Sequence, residues 1–195
     1  MKRILLLASI LIFALNLFGQ QKAESSAPKE QSKADKFSER SGSLISNEFI
    51  DLGNIGGSGL LGGSAKAQVV ILTDLLKNEK LLALRFEKYT SKSYGGGTTS
   101  IATIDTDELS GLITSINYIN EKIINTTPGN YTEVKYYSRD GFSAGCYYTS
   151  EKKDWVFFLK LEKYDSDSYV WLKQKDIPSL LEILNKAKTT MDAKI

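Results

Sequence analysis

Apolar residues in this chain follow two different periods, and the change from one to the other occurs twice. Between residues 81 and 89 apolar and polar side chains alternate, which is typical of a strand with one buried face. From residue 109 the apolar spacing becomes three and four, which is typical of a helix. The helical positions are Leu109, Leu112, Ile113, Ile116, Ile119 and Ile123, and in the second half Ile177, Leu180, Leu181 and Leu184. The pattern predicts four strands followed by one helix in each half.

The two halves also share a sequence. Residues 84–94 (LRFEKYTSKSY) return 75 positions later as residues 159–169 (LKLEKYDSDSY), with seven of eleven positions identical. An internal repeat of this kind indicates that one structural unit has been doubled. We therefore predict an α+β fold of two pseudo-symmetric ββββα repeats, residues 44–126 and 127–195. Each antiparallel sheet is predicted to be covered on one face by a helix, because a sheet must bury its apolar side.

The chain begins with a short basic segment and a run of apolar residues up to residue 18. This order predicts a secretory signal peptide over residues 1–20, and hence a periplasmic or extracellular protein. A transmembrane anchor is the alternative, but the apolar run is shorter than the about 20 residues that spanning requires. No membrane span is therefore expected after cleavage. Residues 21–43 are polar and are predicted to form a flexible tail.

Cleavage changes the charge balance. The mature chain loses Lys2 and Arg3, which leaves 23 basic and 23 acidic residues. A formally neutral protein has no general attraction to nucleic-acid backbones or anionic membranes. We expect a soluble monomer or weak homo-oligomer whose partner is a protein, a peptide or a glycan.

The chain lacks residue types that many catalytic sites require. The chain has no histidine and a single cysteine, Cys146, which excludes histidine-based triads, histidine-ligated zinc and paired-cysteine redox sites. We predict no metal, no cofactor and no catalytic residue, hence a protein that is not an enzyme, with Cys146 as a buried structural thiol. A hydrolase that uses carboxylates is the alternative, and Glu87 and Glu162 occupy equivalent repeat positions for it.

The repeat suggests a binding surface instead. Polar and aromatic side chains occupy the face of the long strands opposite the apolar one, or follow these strands, and such residues can stack on and hydrogen-bond to a ligand. The candidate ligand-binding residues are Arg85, Tyr89, Tyr94, Lys160, Tyr164 and Tyr169. The glycine-rich loops at residues 53–63 and 95–97 occur only in the first repeat and are a second candidate location for the ligand.

In the order of its elements, the ββββα unit resembles the Whirly and PUR proteins, which bind single-stranded nucleic acids. The resemblance is one of topology only, since no sequence motif of theirs is matched. It implies stacking of bases on aromatic and basic residues of a sheet. The neutral mature charge argues against this function.

Overall fold

The computed structural model of the chain describes residues 30–56, 63–151 and 153–194. The predicted signal peptide and residues 57–62 of the first glycine-rich loop lie outside the described residues. The first unit contains helix α1 (Lys33–Ser38), strands β1 (Ile45–Gly56), β2 (Ser64–Asp74), β3 (Glu79–Ser91) and β4 (Gly97–Asp105), and helix α2 (Thr106–Tyr118), which continues as a short π-helix (Ile119–Ile123).

The second unit repeats this order. It contains strands β5 (Thr132–Tyr137), β6 (Ser143–Thr149), β7 (Asp154–Lys160) and β8 (Tyr169–Leu172), and helix α3 (Ile177–Asp192). Short 3-10 turns precede β8 and α3. Each unit forms a four-stranded antiparallel sheet in which sequence neighbours pair, β1-β2-β3-β4 and β5-β6-β7-β8. The predicted α+β fold of two ββββα units is therefore confirmed.

The inner faces of both sheets meet in one hydrophobic core. The Phe86 ring on β3 stacks on the Phe142 ring beside β6, with centroids 5.5 Å apart, and neither side chain is exposed. Helix α3 packs against α2 and also against β1, β2 and β3 of the other unit, whereas α2 contacts β3, β4 and β6. The two units are thus joined by a shared core, which covers the inner face of each sheet. Among the described residues, no helix combines the length and apolarity needed to cross a membrane.

Helix α1 lies within the segment predicted to be a flexible tail, and here the structure differs from that prediction. Ala34 and Phe37 of α1 are buried on the outer face of the first sheet, against Val70, Leu72 and Ala83. The backbone N–H groups of Lys33 (2.8 Å) and Ala34 (3.1 Å) donate to the Asp105 carboxylate at the end of β4. Phe37 is the one aromatic residue of the segment, and its burial with the Asp105 cap offsets the entropy lost on ordering this turn.

The two copies of the eleven-residue repeat, residues 84–94 and 159–169, have different structures. In the first unit β3 continues to Ser91, whereas in the second unit β7 ends at Lys160 and the chain turns over residues 161–168. The Asp165 carboxylate accepts a hydrogen bond from the Asp167 N–H (2.8 Å), and the Ser168 hydroxyl bonds to the backbone of Glu162 and Asp165. These polar contacts form a turn that competes with strand extension. Glu162 and Tyr164 therefore lie in a loop, and their predicted place on the strand face is wrong.

Candidate functional site

On the outer face of the first sheet, the charged side chains are paired with one another. The Arg85 guanidinium donates to the Gln68 side chain (3.0 Å), forms an ion pair with Glu87 and lies 5.5 Å from the centroid of the Phe49 ring. Helix α1 covers another part of the same face. Arg85 is therefore held by groups of its own sheet, which leaves little of its charge for a ligand.

The other two candidates of the first unit lie at its β3–β4 hairpin. The Tyr89 ring packs over Gly97, where an added Cβ would lie 2.5 Å from ring atoms, so the glycine accommodates the ring. Tyr94 is fully exposed at the hairpin tip. Neither residue lines the pocket described below, and whether the glycine-rich loops take part in binding stays a prediction.

The outer face of the second sheet carries a network of aromatic rings, which we call the aromatic face. Its members are Tyr131, Tyr147, Phe158, Tyr169 and Trp171. The Tyr169 and Trp171 rings are parallel, with centroids 4.6 Å apart. Phe158 lies beneath, with centroid distances of 5.4 Å to Tyr169, 6.1 Å to Trp171 and 6.4 Å to Tyr147. Tyr147 links the network to Tyr131 at 6.1 Å.

Strand register explains why these side chains share one face. Gly145, Phe158 and Trp171 are direct cross-strand partners on β6, β7 and β8, and Ser143, Lys160 and Tyr169 form the next row on the same side. Successive side chains of a strand alternate between faces, so the two rows, separated by one residue on each strand, point outward together. Aromatic cross-strand pairs stabilise a sheet and also hold each ring in one orientation.

Beside the aromatic face lies a pocket of about 240 Å³, which we call the lysine pocket. It is lined by three lysines, three tyrosines, one phenylalanine and two small residues: Lys135, Lys160, Lys163, Tyr137, Tyr164, Tyr169, Phe158, Gly141 and Ser143. Three of the six candidates, Lys160, Tyr164 and Tyr169, are thus brought together. Tyr164 reaches the pocket because β7 ends early and residues 161–168 turn beside the sheet.

The three lysines of the pocket differ in their partners. Lys135 forms an ion pair with Glu133, which raises the pKa of Lys135 and lowers the pKa of Glu133. The Tyr131 hydroxyl donates a hydrogen bond to Glu133, and this bond raises the pKa of Tyr131 to about 12. Lys160 Nζ donates to the Lys163 carbonyl (2.8 Å) and lies 4.9 Å from the centroid of the Tyr169 ring. Lys163 Nζ lies 5.3 Å from the Tyr164 centroid. No described carboxylate pairs with Lys160 or Lys163.

A separate charged cluster connects α1, α2 and the β5–β6 turn. Asp105, Asp107 and Glu108 could together supply three oxygen ligands. The cluster instead surrounds Arg139, which pairs with Asp105 and lies 3.1 Å from Asp107 and 3.6 Å from Glu108. Hydrogen bonds from Lys33 and Arg139 lower the pKa of Asp107. A cation of the chain already compensates these carboxylates, so the cluster has a structural role.

Cys146 is buried, and the two glutamates considered for hydrolysis have partners within the fold. Burial raises the pKa of the Cys146 thiol to about 12, which disfavours the thiolate that nucleophilic chemistry needs. Of the two carboxylates considered for hydrolysis, Glu87 pairs with Arg85, whereas Glu162 accepts a hydrogen bond from the Ile101 N–H (3.3 Å). Neither carboxylate lines the lysine pocket.

Several residues of this site escaped the sequence prediction, namely Tyr131, Lys135, Tyr137, Tyr147, Phe158, Lys163 and Trp171. A signal for some of them was present: residues 155–159 (WVFFL) are apolar without alternation, which indicates a strand with apolar side chains on both faces. The prediction compared only the repeated residues and therefore selected positions from both units.

The chain was compared with protein families, with curated proteins and with solved structures. No family model, no curated protein and no solved structure matches it. The topological resemblance to the Whirly and PUR proteins therefore stays a prediction.

Proposed function

We propose that this chain is an exported, non-catalytic binding protein, and that its ligand is a glycan bound on the aromatic face of the second sheet. The observation that carries the proposal is the network of five rings on that face beside a pocket lined by tyrosines and lysines. The C–H faces of a sugar pack on aromatic rings, while its hydroxyl groups hydrogen-bond to polar side chains at the edge.

The rings suit this task because they are already ordered. Tyr169, Trp171 and Tyr147 are partly exposed, whereas Phe158 below them is only 4% exposed. Each exposed ring is held by at least one neighbour, so binding restricts few rotamers and loses little entropy. The first sheet offers no such surface, because α1 and ion pairs occupy its outer face.

Two further observations support a binding role over catalysis. The chain contains no histidine. Among the described residues that line the lysine pocket, there is neither a carboxylate nor a cysteine that could act as base or nucleophile. The site therefore offers stacking surface, hydroxyl groups and positive charge.

A glycan array tests the proposed function. The mature wild-type protein is expected to bind a subset of saccharides, and Trp171→Ala and Tyr164→Ala are expected to weaken that binding about tenfold or more. Tyr164 is 77% exposed, so this variant should keep its fold. Tyr94→Ala is the matched control, because Tyr94 is also highly exposed but lies in the first unit. Absence of glycan binding, or equal losses for Tyr94→Ala, would refute the proposed site.

The export part of the proposal is tested separately. The intact mass of the protein recovered from the exported fraction should lack about the first 20 residues, since the leader is removed on secretion. The same native mass spectrum reports the oligomeric state, for which we expect a monomer or a weak homo-oligomer. A mass that still includes Met1 would contradict cleavage.

A further inference from the structure

We infer that the lysine pocket recognises a carboxylate, so that the glycan bound on the aromatic face is an acidic one that contains a uronic or sialic acid. This inference rests on the proposed function, since it names the class of glycan for the same site. It is carried by the positions and partners of Lys160 and Lys163, which distinguish them from the other cations of the two outer sheet faces.

Lys160 is held in place with part of its hydrogen-bonding capacity unused. Its Nζ donates to the Lys163 carbonyl (2.8 Å) and lies over the Tyr169 ring. An ammonium group has three N–H donors, so two remain for a ligand. Because the side chain is already fixed between the ring and the loop, binding of a carboxylate there costs little further side-chain entropy of this lysine.

Lys163 extends the positive charge along the pocket. Its side chain lies against Gly141, where an added Cβ would be 3.2 Å from Lys163 Cβ, and its Nζ lies over the Tyr164 ring. Lys135, the third lysine, is compensated by Glu133. The pocket therefore has two ammonium groups without an acidic partner among the described residues, next to the Tyr137 and Tyr164 side chains. This arrangement suits one carboxylate with neighbouring hydroxyl groups.

The distribution of charge favours a single anionic group over a nucleic-acid backbone. A single strand is bound by cations that follow several successive phosphates. Here Lys160 and Lys163 share one pocket of about 240 Å³, and the cation on the equivalent strand of the other sheet, Arg85, is paired with Glu87. Two cations beside a stacking surface fit an acidic sugar better than a charged chain.

The test uses an array on which each carboxylated saccharide is printed beside its methyl ester, together with neutral saccharides. Wild-type protein should bind the acids about tenfold or more tightly than the matched esters, because esterification removes the negative charge and adds only a methyl group. Lys160→Met and Lys163→Met should reduce this preference while esters bind as before. Lys175→Met is the matched control, since Lys175 is exposed outside the pocket. Raised salt should weaken acid binding selectively.

The possible results separate the inference from the proposed function. Equal binding of acids and esters would overturn the inference and leave the glycan proposal intact. If no saccharide binds, both fail. Tight binding of a single-stranded oligonucleotide that competes with the acids and depends steeply on salt would reassign the site to nucleic acid and overturn the inference.

Discussion

The stacked pair Phe86 and Phe142 provides a direct test of the shared core. Both rings are fully buried, and they join a strand of the first unit to the second. Replacing a buried Phe by Ala costs about 3–5 kcal/mol, a large part of the about 5–15 kcal/mol that stabilises a typical protein. In a chain of this size, Phe86→Ala should lower the melting temperature by about 6–20 °C.

The two tryptophans of the chain make the assay specific. Trp155 and Trp171 both lie in the second unit, so fluorescence reports on that unit alone, whereas far-ultraviolet circular dichroism reports on both. In urea, Phe86→Ala in the first unit should move the fluorescence midpoint as far as the dichroism midpoint, because one core unfolds in one transition. Phe49→Ala is the control, since Phe49 is 48% exposed in the same sheet.

Separate unfolding of the two units would contradict a shared core. In that case Phe86→Ala would shift the dichroism signal and leave the tryptophan transition where it is in the wild type. The pair can be examined further with Phe142→Ala and the double variant. Aromatic pairs contribute about 0.5–1.5 kcal/mol beyond the area they bury. The stability lost in the double variant should therefore be smaller than the sum of the losses in the two single variants by about that amount.

Three further predictions follow from the buried and charged groups. Cys146 should not react with iodoacetamide in the native protein at pH 8, because burial raises its pKa to about 12; mass spectrometry that finds rapid native labelling would contradict this. Arg139→Met should cost about 3 kcal/mol in urea unfolding, because it leaves the buried Asp105 carboxylate without its cation. Its control Lys188→Met, in an exposed pair, should cost about 0.5 kcal/mol or less. The folded-state pKa of Glu133 is lowered, so its stabilisation is present above the unfolded pKa and is lost as pH falls through the folded pKa. The stability advantage of wild type over Glu133→Gln should therefore shrink below about pH 4, and a constant difference would argue against the ion pair.

Periodicity predicted the architecture well because it records which side chains are buried. Leu84 and Phe86 alternate with Arg85 along β3, and the same alternation places Leu159 inward on β7. These positions are set by the requirement that each sheet bury one face, which both repeats share. The number of strands, their order and the helix after each sheet could therefore be read from the sequence.

The structure differs from the prediction where contacts of individual side chains outweigh the repeated pattern. Asp165 and Ser168 stabilise a turn in the second unit, whereas the first unit has Thr90 and a glycine-rich hairpin at the corresponding place. The composition of residues 21–43 did not predict α1. Its stability depends on one buried ring, Phe37, and on hydrogen bonds to Asp105, which lies 71 and 72 residues further along the chain, and a local pattern does not show either. Such long-range polar contacts decide structure without periodicity.

For the same reason, only three of the six predicted residues, Lys160, Tyr164 and Tyr169, lie together at the candidate site. Assuming that the two units are equivalent selected Arg85 together with Lys160, although Arg85 is paired with Glu87 and Lys160 has no described acidic partner. The equivalence of two positions in a repeat does not show which of the two positive charges is paired with a carboxylate. The neighbours distinguish them: Glu87 lies beside Arg85 on the same strand, whereas its counterpart Glu162 lies in the turn after β7 and does not pair with Lys160.

A single pair of equivalent positions shows how the outer faces of the two sheets differ. Ala83 on β3 and Phe158 on β7 correspond in the repeat, and both face outward from their sheets. Ala83 is small and is covered by Phe37 of α1, so that face is closed by the chain itself. Phe158 is covered by the Tyr147, Tyr169 and Trp171 rings, which are themselves partly exposed. The small residue allows a helix to dock, whereas the large one supports a layer of rings that solvent, or a ligand, can reach. The same strand order thus builds one outer face that the chain itself covers and one that exposes a layer of rings.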